Sequence, residues 1–88
     1  MKTPFMSPTN RKLSPRELQV LELIMQEYTS IEIAEKLFLS QETVKSYRKL
    51  INKKLGVNNL VGLVIRTISE NIISLESIQV HSSKDSNI

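Results

Sequence analysis

Apolar and polar positions alternate with a helical period through most of the chain. Leu18, Leu21, Ile24 and Met25 fall on one side of a helix, and Gln19, Glu22 and Gln26 on the other. Ser14-Pro15-Arg16-Glu17 marks where that helix begins: a serine able to accept from free backbone N–H groups, a proline at the first helical position, and a glutamate completing a capping box. The same grammar repeats at Thr29-Ser30-Ile31-Glu32, which opens a short helix with Ile33, Ala34 and Leu37 on its inner side. Ser40 caps a third helix over Gln41–Leu55, and Gly56 stands where a left-handed helix end favours glycine. Asn58 or Asn59 caps a last helix over about 60–72, interrupted only by Gly62 at a cost of about 1 kcal/mol relative to alanine. No run alternates with period two for long enough to make a strand. The pattern therefore predicts an all-α domain of four helices.

The connection between the second and third helices, Phe38-Leu39-Ser40, is too short to lay them antiparallel. It sets them steeply across one another as a helix-turn-helix, and the small Ala34 allows close approach. Projecting the third helix at about 100° per residue puts Val44, Tyr47, Ile51 and Leu55 within roughly 80° of one another, facing the core. Glu42, Lys45, Ser46, Lys49 and Lys53 fall opposite, with Arg48 and Lys54 on the flanks. Glu42, beside the helix N-terminus, is a dipole and capping residue by position, with a cytosine amino group as the alternative partner.

Outside this unit the pattern stops. Residues 1–12 carry Pro4, Pro8, Ser, Thr and Asn without periodicity and read as a flexible arm or linker. Residues 74–88 read as a polar tail, leaving a domain over 13–73. A fold this small buries only about 60% of the surface its unfolded chain exposes, so a staple or partner is expected. Cysteine is absent, and the lone histidine, His81, sits in the polar tail, so neither a disulfide nor a Cys/His metal centre is expected. No Gly-rich phosphate loop is present either, and the well-placed carboxylates read as caps. Catalytic residues, cofactors and metals are expected to be none. The longest apolar run is three residues, which argues against a membrane helix or signal peptide and for a cytoplasmic protein.

Net charge is +3, from twelve Lys/Arg against nine Asp/Glu. Its location says more than its size. Residues 41–60 carry Lys45, Arg48, Lys49, Lys53 and Lys54 against Glu42 alone, a net of +4, while the rest of the chain is close to neutral. A local basic block on a helix that follows a tight turn is how a nucleic-acid footprint looks, although a solvated helix face is as common for a block this short.

The pieces LSPRE, EIAEKL, S-x-x-TVK and the KLGV ending, in that order and spacing, closely resemble the LuxR/FixJ/GerE-type helix-turn-helix of bacterial transcription regulators. The resemblance covers about Leu13 to Ile72. It implies that the third helix lies in the major groove of double-stranded DNA and that the fourth mediates dimerisation. By position it assigns base reading to Lys45, Ser46 and Lys49, the residues that the projection turns outward. It gives Thr43 a place at the helix start or on a phosphate, and Lys53 and Lys54 phosphate or solvent. Arg48, on the flank, joins the phosphate set, and Glu17 matches a structural glutamate.

Three departures bear on affinity more than on fold. Glu27 stands where the family usually has glycine, so the loop is expected to differ or the helix to run longer, because a left-handed glutamate is strained. Ile31 replaces a lysine that often contacts phosphate. Tyr47 replaces a histidine and is expected in the core, with its hydroxyl on a backbone group or a phosphate.

The last helix is too apolar for one stripe, and its surplus, Val61, Ile65, Ile68 and Ile72, is the expected homodimer interface. Docking of a partner domain, or the tail folding over the patch, is the rival. The leading expectation is a sequence-specific DNA-binding regulator, working through RNA polymerase, either stand-alone or as the output domain of a larger protein. The initial Met and the self-sufficient fold favour the former. Two alternatives stay open: a sigma-factor-like promoter-binding domain, and a protein-interaction module that does not bind DNA.

Overall fold

The computed structural model describes residues 13–74. They form α1 (Pro15–Met25), α2 (Ser30–Leu37), α3 (Gln41–Leu55) and α4 (Leu60–Ser69), with no strand among the described residues. The expected arm at 1–12 and all of the expected tail beyond Ser74 lie outside them.

Each helix starts where a side chain can satisfy an orphan N–H. Ser14 Oγ accepts from the Glu17 N–H at 3.1 Å while Glu17 Oε1 accepts from the Ser14 N–H at 2.8 Å. Thr29 and Glu32 reproduce both bonds at 3.1 and 2.8 Å. Ser40 Oγ accepts from the Thr43 N–H at 3.0 Å and donates to Thr43 Oγ1 at 2.9 Å. Of the two asparagines before α4, Asn59 is the cap, its Oδ1 accepting from the Gly62 N–H at 2.8 Å.

The helix ends are just as uniform. Every helix closes through a residue in the left-handed region: Glu27 (φ 71°), Phe38 (φ 58°), Gly56 (φ 69°) and Asn71 (φ 54°). The N–H of the following residue then reaches back five residues to a helix carbonyl: Tyr28 to Leu23, Leu39 to Ala34, Val57 to Asn52 and Ile72 to Thr67, at 2.9 to 3.1 Å. This is the Schellman closure, and the residue after the left-handed one characteristically folds back onto apolar neighbours. Tyr28, Leu39, Val57 and Ile72 do so, each half-buried against the core.

Two expectations change here. Glu27 does not escape the left-handed conformation by a different loop or a longer helix; α1 ends at Met25 and Glu27 takes the glycine-like φ itself. The last helix stops at Ser69 rather than near 72, because left-handed Asn71 turns the chain inward.

The core gathers Val20, Leu21, Ile24 and Met25 of α1, Ile33 and Ala34 of α2, Val44, Ile51 and Leu55 of α3, and Leu63 of α4, closed by Leu13 and Ile73. Leu18, Leu37 and Tyr47, expected in the core, are half-buried at its edge. Thr67 is buried on α4, where its hydroxyl donates to the Leu63 carbonyl at 2.7 Å. Helix α3 packs closely on both α1 and α2, and α4 rests on it with a smaller contact. The longest helix is thus held from behind over its whole length, with its other side open.

Candidate nucleic-acid interface

Because Val44, Ile51 and Leu55 anchor α3 to the core, the residues between them are turned outward. Glu42, Lys45, Ser46, Lys49, Leu50 and Lys53 are all exposed. Fifteen residues of helix make a bar about 22 Å long, at about 1.5 Å per residue. Three ammonium groups are spaced along it, and Glu42 in the first turn is the only acid on its exposed side. Among the described residues the ion pairs are Lys54–Glu17 and Arg66–Glu70, so Lys45, Lys49 and Lys53 are not neutralised by either. Glu42 lies beside the N–H groups of the first turn, where a negative charge complements the helix dipole.

The residues assigned to phosphate separate into different settings. Thr43 is half-buried and tied into the Ser40 cap through both its N–H and its hydroxyl oxygen, so it fixes the start of α3. Arg48 is half-buried on the flank facing α4 and lines an open cleft of about 450 Å³ with Tyr28, Leu60 and Val64. Lys53 points outward. Lys54, one residue on, is directed to the other flank, where its Nζ lies 3.0 and 3.1 Å from the two Glu17 carboxylate oxygens.

That pairing shapes the acid. Glu17 is buried, which by itself raises its pKa; the hydrogen bond from the Ser14 N–H and then the ammonium of Lys54 outweigh this and leave the carboxyl below its ordinary range. The cap is legible in the sequence and the ion pair is not, since its partners stand 37 residues apart. Leu50 carries no such local signal either. A turn beyond Ser46 and only about 40° round the helix from it, Leu50 is the one apolar side chain among the exposed positions of α3.

On α4 the outer side carries Val61, Ile65 and Ile68, with Leu60 at its start, while Leu63 and Thr67 face the core. Val61 and Ile65 are 67% and 61% exposed, so the stripe is open rather than covered by the described residues. Ile72, assigned to the same stripe, is folded back against the core by the closure at Asn71 and does not continue it.

The family model for bacterial regulatory proteins, luxR family, matches residues 11–67, which takes in α1, α2, α3 and most of α4. The chain belongs to the luxR family. The transcriptional regulatory protein MctR of Rhizobium johnstonii is 37% identical over 62 residues, covering 70% of this chain and 29% of MctR. The oxygen regulatory protein NreC of Staphylococcus aureus is 41% identical over 61 residues, covering 69% of this chain and 28% of NreC. The chain thus spans less than a third of the length of these relatives. No solved structure matches it. A luxR-family domain is a regulatory module and not an enzyme, and no helix among the described residues is long and apolar enough to cross a membrane.

Proposed function

We propose that this domain is a sequence-specific double-stranded DNA-binding module of a transcriptional regulator, with α3 in the major groove. The observation that carries the reading is a helix locked to the core on one side and carrying Lys45, Lys49 and Lys53, unpaired with the described acids, on the other, within a luxR-family domain. A bar of this width fits the major groove, where lysine recognises guanine O6 and N7 and a short hydroxyl tolerates either strand edge. Lys45, Ser46 and Lys49 are assigned to bases, and Thr43, Arg48 and Lys53 to the backbone. Lys54 is reassigned to holding the end of α3 through Glu17.

The stripe of Val61, Ile65 and Ile68 supports a homodimer through α4. A two-fold pair would set its α3 helices about 34 Å apart, one turn of DNA, on an inverted repeat. RNA polymerase is the natural further partner of such a regulator. The names of MctR and NreC, both regulatory proteins, agree with this reading.

Selection of bound duplexes from a random pool, followed by salt titration of the winner, tests it. Affinity should fall with salt at a slope near −0.9 per phosphate contacted. Lys45→Ala and Lys49→Ala should each reduce discrimination between the selected site and random duplex. Affinity indifferent to both lysines would leave a protein-interaction module in place of a DNA-binding one.

A further inference from the structure

Leu50 gives the exposed side of α3 an apolar point that neither capping nor core packing explains. It is 39% exposed, and with Thr43, Ser46 and Tyr47 it lines a shallow recess of about 140 Å³ on the opposite flank from the Arg48 cleft. An exposed leucine alone needs no explanation. This one is set among Lys45, Ser46, Lys49 and Lys53, on a helix whose other exposed residues are all polar. The positive charge around it selects a polyanion, and the recess asks for a small apolar group carried by that polyanion. In the major groove of DNA one such group exists, the C5-methyl of thymine.

We infer that Leu50, with the Thr43 and Tyr47 side chains beside it, receives the methyl group of a thymine in the operator and makes that position specific. The inference rests on the groove reading above and adds the base that this flank requires. Lysines and a serine read donors and acceptors and do not sense a methyl group; a leucine senses little else. Leu50 lies about 6 Å along the helix axis from Ser46, so its thymine falls within about two base pairs of the base facing Ser46.

The test uses the full 88-residue chain and its selected duplex, with each thymine replaced in turn by deoxyuridine, which removes the methyl and leaves the pairing edge intact. One replacement should weaken wild-type binding about four-fold, the worth of one methyl group withdrawn from water. The same replacement should leave Leu50→Ala unaffected and should still weaken Leu50→Met, which keeps an apolar tip. Because Leu50 is exposed, both variants should retain the wild-type helical circular dichroism. Site-selective binding with no methyl-sensitive thymine overturns the inference alone. So does a thymine whose loss of methyl weakens Leu50→Ala as much as wild type. A wild-type chain that binds no duplex overturns the groove reading and this inference with it.

Discussion

The Nζ of Lys54 lies 3.0 Å from Oε1 of Glu17, joining the last turn of α3 to the first turn of α1. The same carboxylate oxygen accepts from the Ser14 N–H at 2.8 Å, so one buried acid both starts the first helix and holds the end of the candidate recognition helix. Two adjacent lysines consequently part ways. Lys53 is open to a ligand, and Lys54 is a strut.

Their substitutions should separate accordingly. Lys54→Ala strips a buried acid of its cation and should cost about 1–2 kcal/mol, less than a fully buried pair because the lysine remains 30% exposed. Lys53→Ala should stay within about 0.5 kcal/mol in stability but lower the salt slope of DNA binding by about one. Urea denaturation and a salt titration of both variants check this; equal stability losses would remove the distinction.

Acid should release the strut. Glu17 has a folded-state pKa below its unfolded value of about 4.3, so the stabilisation is fully present above that value and is lost as pH falls through the lower folded one. Glu17→Gln should be less stable than wild type at neutral pH, and the gap should narrow as pH falls below about 4. A gap that stays constant over that range would mean that the carboxylate charge contributes nothing.

Left-handed Glu27 gives a third expectation. Its side chain is exposed, and a non-glycine residue at φ 71° carries backbone strain of about 1–2 kcal/mol. Part of any relief is offset by the extra freedom of glycine in the unfolded chain, so Glu27→Gly should stabilise by up to about 1 kcal/mol. Gly56→Ala should destabilise by a similar amount, and from the backbone alone, since nothing stands within 4 Å of the added methyl. Thermal melts of the two variants should shift in opposite directions.

The apolar stripe of α4 and its apparent continuation should also come apart. Ile65→Glu should abolish self-association, measured by sedimentation on the inverted-repeat duplex, and leave the monomer folded, because Ile65 is exposed. Ile72→Ala should leave association intact and cost about 1–2 kcal/mol of stability, since Ile72 packs on the core. Unchanged association of Ile65→Glu would point to a different interface.

The four helices and their starts were legible in the sequence because the bonds that define them span three residues: Ser14 with Glu17, Thr29 with Glu32, Ser40 with Thr43. Local chemistry at fixed spacing can be read along a chain, and so can the side of α3 that carries Lys45 and Lys49, since its periodicity follows from helix geometry. What the tertiary structure alone decided involves distance along the chain or competition between neighbours. Along the chain Lys54 is indistinguishable from Lys53, and only folding brings Glu17, 37 residues away, within 3.0 Å of it. Ile72 matched the outer stripe of α4 by spacing, yet left-handed Asn71 turned it inward. Leu50 could have served the core, but Val44, Ile51 and Leu55 occupy that side and leave it in solvent. Sequence sets which residues share a helix face; packing sets which of them find partners within the chain and which remain available to something else.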